Sequence, residues 1–271
     1  MILVDGMATG TVAATDRGLN YGDGLFETMR LHQGRVCLLA RHLQRLKHGC
    51  ERIALAYPGD ALIEADLAAL GTGATGEGVV RLVLTRGDGG RGYTPPPTAG
   101  VRRIVSLHAV PELGTAGLSV GICRTRLGRS SALGGLKHLG RLEQVLAARE
   151  TAAAGWDEGL MLDDHDRVIE GTRHNLFFVR DGGVWTPRLA GCGVAGVMRE
   201  LVLEALDKLV LGGGEAELRY HELHEVEELF LCNAVAGVRP VSHLAGRALA
   251  GAEVACALRA PLAAAGVAWL G

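Results

Sequence analysis

The chain begins with short apolar runs rather than a helical repeat. Ile2 to Val4 and Leu25 to Leu31 read as strands; a His32-Gln33-Gly34 turn and a second run, Arg35 to Leu38, complete a hairpin pattern. At residues 39–53 the period changes: Leu39, Leu43, Leu46, Cys50 and Ile53 recur at steps of four and three, which predicts an amphipathic helix. A second helix is predicted over Asp60 to Leu70, and strands return at Val79 to Thr85 and Val101 to Leu107. Between those strands, Gly87 to Tyr93 and Pro95-Pro96-Pro97 form a loop that suits neither helix nor central strand. Residues 112–117 read as an irregular connector. The expected domains are therefore 1–110 and 118–271, joined by 111–117. In the second, strands (Leu118 to Cys123, Gly159 to Leu162, Leu176 to Val179, Val184 to Thr186, Glu228 to Cys232) alternate with helices near 141–154, 197–209 and 252–264. The pattern predicts an α+β protein with a small N-terminal domain and a larger C-terminal domain whose strands are mostly antiparallel.

Composition narrows the function classes. A length of 271 residues suits either one large domain or two of ordinary size, and with 48% hydrophobic residues the chain can bury a core, drawn mainly from Ala, Val and Leu because aromatics are only 4%. A net charge of −2 provides neither the basic footprint of a nucleic-acid binder nor a polybasic membrane patch. The expected partners are a small-molecule substrate and further copies of this chain. Six cysteines are scattered without a C-x-x-C pair or metal-ligand spacing, and read as reduced thiols. An acid and a glycine follow at once on Met1-Ile2-Leu3-Val4, unlike a signal peptide, and no apolar stretch reaches membrane-spanning length. A cytoplasmic protein is expected.

Three motifs lack their required context. Gly71-Thr72-Gly73-Ala74-Thr75-Gly76 matches G-x-G-x-x-G but follows a helix and precedes a strand, the reverse of a dinucleotide fingerprint. Gly87-Asp88-Gly89-Gly90-Arg91-Gly92 follows a strand but leads into prolines rather than a helix. His221 and His224 are three apart with no third ligand candidate, so no metal site is expected.

Lysine usage singles out one position. Of 28 Lys+Arg residues only Lys47, Lys137 and Lys208 are lysines, and Lys137 sits in Gly134-Gly135-Leu136-Lys137-His138-Leu139, between a predicted strand and a predicted helix. An amine, unlike a guanidinium, can lose its proton and attack a carbonyl. A lysine nucleophile suggests a Schiff base, most often with pyridoxal 5′-phosphate. Such a site needs a carboxylate beside the pyridine nitrogen and an anion cradle at a helix N-terminus. Glu170, at the end of a short strand, can supply the first, and the Gly193 to Met198 turn opening into a helix the second.

The run Glu170-Gly171-Thr172-Arg173-His174-Asn175-Leu176-Phe177, with Thr186, Gly193 to Gly196 and Arg199, resembles the signature of the class IV aminotransferases, fold type IV of the pyridoxal-phosphate enzymes. Asp16-Arg17-Gly18, Tyr21 to Thr28 and His42-Leu43-Gln44-Arg45-Leu46 are similar to the family's opening motifs, so the resemblance covers nearly the whole chain. It implies a two-domain homodimer with Lys137 carrying the cofactor and Glu170 at its ring nitrogen. Arg45, Asn233 and the backbone N–H groups of Val197 and Met198 are implied as phosphate ligands. Asn175 is expected to brace the Glu170 turn.

Two further stretches, Thr85 to Tyr93 and Leu127-Gly128-Arg129 with Lys137 to Val145, resemble the family's aminodeoxychorismate lyase branch more than its transaminases. That branch implies release of pyruvate and 4-aminobenzoate, a step of folate biosynthesis, with Thr28, Arg91 and Tyr93 as candidate substrate ligands. The alternative is a D-amino acid or branched-chain transaminase of the same fold. Gly140 and Ala195 depart from the pattern, standing where asparagine is frequent.

Overall fold

The computed structural model describes residues 1–71, 76–97, 100–267 and 269. Most of the Gly71 to Gly76 motif, residues 72–75, lies outside them. The chain divides into two compact units, one of Met1–Glu112 with Leu136–Gly140, the other of Leu113–Gly135 with Arg141–Gly271. The five residues around Lys137 thus group with the first unit, although they follow the connector in sequence.

The first unit comprises β1 (Ile2–Val4), β2 (Met7–Ala8), α1 (Arg17–Tyr21), β3 (Gly24–His32), β4 (Arg35–Val36), α2 (Leu39–Arg52), α3 (Asp60–Ala69), β5 (Gly78–Thr85) and β6 (Arg102–His108). Its strands form an antiparallel sheet in the order β2-β1-β6-β5-β3-β4. Alternation along the strands sends Leu25, Met29 and Leu31 of β3, Val80, Leu82 and Leu84 of β5 and Val105 of β6 into one apolar core with Leu43, Leu46 and Cys50 of α2 and Ile63 and Leu67 of α3. Glu27 lies in the same alternating series and is buried with it.

The second unit comprises β7 (Leu118–Leu127), α4 (Leu142–Ala154), β8 (Glu158–Asp163), β9 (Val168–Gly171), β10 (Asn175–Arg180), β11 (Gly183–Pro187), α5 (Val197–Lys208), β12 (Gly213–Ala216), β13 (Glu228–Asn233), β14 (Gly237–Leu244), β15 (Arg247–Ala248), α6 (Glu253–Ala257) and α7 (Arg259–Ala264). Its sheet runs β12-β11-β10-β13-β14-β7-β8-β9, with β15 on β14. The pairs β11–β12, β14–β7 and β7–β8 are parallel and the others antiparallel. Leu160, Leu162, Leu176, Phe178, Leu229 and Leu231 fill its core.

Elements without an apolar pattern are the ones that local reading passed over. β12 is Gly-Gly-Glu-Ala and exists through backbone pairing to β11. The single helix expected at 252–264 is instead α6 and α7, because Pro261 has no N–H to continue the ladder. β7 runs past Cys123 through a bulge, and the Glu150 carboxylate accepts the N–H groups of Arg124 (2.6 Å) and Thr125 (3.1 Å) there.

Candidate active site

In the first unit, residues 137–139 form a strand-like edge on β3. Phe26 N–H donates to the Lys137 carbonyl and Leu139 N–H to the Gly24 carbonyl, each at 3.0 Å. This pairing brings Lys137 Nζ to 4.3 Å from the Phe26 ring centroid, where Arg81 also lies over the ring at 4.4 Å. Thr28, half-buried, is on the same sheet face as Phe26 and directly opposite Arg81 on β5.

On the other face, Glu27 is 1% exposed and receives α2. Arg45 donates Nε (2.8 Å) to Glu27 Oε1 and Nη2 to Oε2, and His42 Nδ1 lies 2.7 Å from Oε2. Burial alone would raise the Glu27 pKa; the neighbouring Arg45 and His42 outweigh it and hold the carboxylate at about 2. Burial pushes His42 below its ordinary value, with Arg45 and Lys137 acting in the same sense against the Glu27 charge. His42 Nε2 is buried and has no hydrogen-bond partner among the described residues. The guanidinium of Arg45 is thus set at a fixed orientation by a two-point carboxylate clamp, which suits recognition of a further anion.

In the second unit, β9 ends at Glu170, a 4% exposed carboxylate whose Oε2 accepts the Val194 N–H at 2.8 Å. Asn175, the first residue of β10, donates Nδ2 to the Val194 carbonyl at 2.8 Å. The Val194 peptide is held from both sides, so Asn175 braces the Gly193 to Gly196 turn rather than the Glu170 turn. Gly193 has φ +78°, and a Cβ there would meet Leu189 Cδ2 at 2.7 Å; a Cβ on Gly196 would collide with Asn175 Oδ1. This narrow turn delivers the chain into α5, whose Gly196 cap makes no side-chain hydrogen bond. The first-turn N–H groups at Val197 and Met198, both buried, are consequently a donor set for an anion. A buried carboxylate next to an uncapped helix start fits a ligand with a protonatable ring nitrogen and a phosphate.

The remaining expected residues divide in the same way. Arg91 and Tyr93 lie in the Gly87–Tyr93 loop of the first unit, both exposed. Asn233, at the end of β13, spends its Oδ1 on the N–H groups of Val235 (2.9 Å) and Ala236 (2.7 Å), and its Nδ2 reaches the Arg173 carbonyl at 3.3 Å. Its side chain therefore braces a turn. Arg199 and Thr186 also have structural partners: Arg199 Nη2 bonds Glu215 Oε1 at 2.6 Å and Thr186 Oγ1 bonds the Leu176 carbonyl at 2.8 Å. His221 and His224 are on a 3-10 turn, Tyr220–Glu225.

The model of the class IV amino-transferases matches residues 24–244. The chain belongs to the class IV aminotransferase family. It is 35% identical over 246 residues to the aminodeoxychorismate lyase of Vibrio harveyi, a match that spans 89% of this chain and 90% of that protein. The crystal structure of 4-amino-4-deoxychorismate lyase from Pseudomonas aeruginosa is similar with a TM-score of 0.92 at 43% identity, over 97% of this chain and 98% of that one. A branched-chain-amino-acid aminotransferase of Salmonella typhimurium is 28% identical over 250 residues, 87% of this chain and 80% of that protein. The expected α+β class IV fold is borne out.

Three buried groups beside the expected residues carried no role in the sequence: Glu27 and His42 in the first unit and Glu158 in the second. An acid inside an otherwise apolar alternation was the available signal for Glu27. Glu158, 1% exposed at the start of β8, accepts the Gly159 and Thr172 N–H groups at 3.0 and 3.1 Å and is bonded by Thr172 Oγ1 and His174 Nδ1. It shapes the turn between Glu170 and Asn175.

Proposed function

We propose that the protein is a pyridoxal-phosphate-dependent lyase that converts 4-amino-4-deoxychorismate into 4-aminobenzoate and pyruvate. The observation that carries this reading is its similarity along nearly the whole chain to two such lyases, at 35% and 43% identity, against 31% to a putative branched-chain-amino-acid aminotransferase of Methanocaldococcus jannaschii and 28% to that of Salmonella typhimurium. Lys137 would hold the cofactor, Glu170 would face its ring nitrogen, and the N–H groups of Val197 and Met198, with Arg45, would hold its phosphate, while Asn233 would support the site only through the turn that its side chain braces. Thr28, Arg91 and Tyr93 would take the substrate's two carboxylates.

When bound, pyridoxal 5′-phosphate supplies a carbonyl that captures the substrate amine and a ring that accepts an electron pair. The Glu170 carboxylate would keep the ring nitrogen protonated. With the cofactor bound, the Lys137 amine would remove the proton from the amine-bearing ring carbon of the substrate. The C–O bond to the enolpyruvyl group breaks, Lys137 returns the proton to the departing group, and pyruvate leaves as the ring becomes aromatic. Aromatisation drives the elimination, so the chain's chief task is to orient the scissile bond.

The test is incubation of the purified holoenzyme with aminodeoxychorismate, where 4-aminobenzoate and pyruvate are expected in equal amounts. Amino transfer from D-alanine or a branched-chain amino acid to 2-oxoglutarate, with no release from aminodeoxychorismate, would replace the lyase by the transaminase reading. Lys137→Ala is expected to lose the visible absorption band of the bound cofactor and at least about 100-fold in turnover; an unchanged band would refute its assignment.

The proposal includes a homodimer in the cytoplasm. Leu142, Val145 and Leu146, at 71%, 54% and 42% exposure, form an apolar stripe on α4 that a second copy would cover, and sedimentation tests this. Among the described residues no helix is long and apolar enough to cross a membrane, and the six cysteines are free thiols, as a reducing compartment favours.

A further inference from the structure

The Gly87–Tyr93 loop contains four glycines among seven residues, so its backbone has little conformational preference of its own. Its shape comes from a neighbouring arginine. Arg17, on α1, is only 2% exposed, yet its guanidinium spends its donors on this loop: Nη1 on the Gly92 carbonyl (3.1 Å) and, at the limit, the Gly89 carbonyl (3.5 Å), and Nη2 on the Tyr93 carbonyl (2.6 Å). Nε is held by Asp23 Oδ2 at 2.9 Å, and Arg86 Nε binds the same carboxylate at 2.9 Å. The plane of Arg17 is therefore fixed from behind while its two terminal nitrogens face loop carbonyls.

Tyr21 completes the arrangement. Arg17 Cζ lies 4.7 Å from the Tyr21 ring centroid, the Tyr21 hydroxyl accepts the Gly92 N–H at 3.1 Å, and the Tyr21 and Tyr93 rings meet edge to face at 5.7 Å. At the loop's start, Arg17 N–H donates to the Gly87 carbonyl at 2.9 Å. The loop is thus bonded to α1 on both sides of Arg91, whose own side chain is exposed. A lysine at position 17 would place one ammonium where a planar fork now reaches four acceptors at separate angles.

We propose that Arg17 is a positioning residue for substrate: it preforms the Gly87–Tyr93 loop, so that Arg91 and Tyr93 meet the substrate carboxylates without first ordering the chain. This rests on the lyase reading and on the assignment of Arg91 and Tyr93 to substrate. A preformed loop saves ordering entropy on binding, so its loss raises KM while leaving the proton transfers at Lys137 untouched.

The test uses the holoenzyme with Arg17→Gln, Arg17→Lys and Tyr21→Phe. Trypsin nicking at the Arg91–Gly92 bond, followed by mass spectrometry, reads loop order without reference to activity. Arg17→Gln is expected to be nicked about tenfold faster and to show a KM for aminodeoxychorismate raised about tenfold, with kcat within about threefold and the visible spectrum unchanged. Arg17→Lys should recover only part of both, and Tyr21→Phe, which removes one hydroxyl, should raise both by about two- to threefold. Unchanged nicking overturns the loop assignment, and faster nicking with unchanged KM overturns its role toward substrate. If Arg17→Gln does not fold, Tyr21→Phe decides by the same two readouts. A wild type that releases no pyruvate overturns the lyase reading itself, while nicking still decides whether Arg17 orders the loop.

Discussion

Each unit buries one glutamate beside one histidine, and the two pairs are solved differently. Glu27 and Glu158 are both 1% exposed, and in each a histidine Nδ1 lies against Oε2. At Glu27 the remaining compensation is a cation, Arg45, joined by two bonds. At Glu158 it is a set of neutral donors, two backbone N–H groups and the Thr172 hydroxyl. Arg173 Nε stands 3.6 Å from Glu158, but that side chain is 69% exposed and water screens it. Both carboxylates are held below their ordinary pKa although burial opposes this. The first arrangement fixes the orientation of a charged group, whereas the second shapes the turn between Glu170 and Asn175. A buried acid can thus serve a site through the charge it aims or through the backbone it gathers.

Removing the charge should separate the two most strongly at Glu27. Glu27→Gln leaves the buried His42 and the partly buried Arg45 without their anion and is expected to cost about 4 kcal/mol, read by urea denaturation at pH 7. A loss no larger than that of Glu158→Gln would erase the distinction. Acid gives the next effect. The Glu27 carboxyl is at about 2 in the fold against 4.5 ordinarily, so its contribution is complete above pH 4.5 and disappears as the pH falls from 4.5 toward 2. About 3 kcal/mol should be lost across that window, and the wild-type advantage over Glu27→Gln should shrink in step. A gap independent of pH would show that charge is not its source. Glu158→Gln should cost least, about 2 kcal/mol, because one amide oxygen still serves the backbone donors. Its effect should show at the Glu170 turn, as weaker cofactor retention on dialysis, with Arg17 loop nicking unaltered.

Much of this was legible in the chain because it is local. The steps of four and three in α2, the alternation in β3 and β5, and a glycine turn leading into α5 need only neighbouring residues to be read. The scarcity of lysine exposed Lys137 by composition alone. Other features depend on partners far along the chain. Nothing in Leu136-Lys137-His138-Leu139 announces a strand, and these residues extend because β3 offers backbone partners at Gly24 and Phe26. Asn175 was expected to hold the turn beside it in sequence, yet its amide reaches Val194, whose carbonyl is nearer in space. The arginines of the opening motifs all carry the same charge in sequence. Only their burial separates Arg17, closed over a loop, from Arg45, clamped by Glu27.

The sequence by itself determined the family, the α+β alternation and the residue types that an amine-based site requires, because propensity, periodicity and motif order are carried by short stretches of chain. The tertiary structure alone decided which peptide Glu170 and Asn175 hold, which carboxylate fixes Arg45, and which loop Arg17 shapes. Those are hydrogen bonds between segments tens of residues apart, and their strength depends on burial and angle, which exist only once the chain has folded.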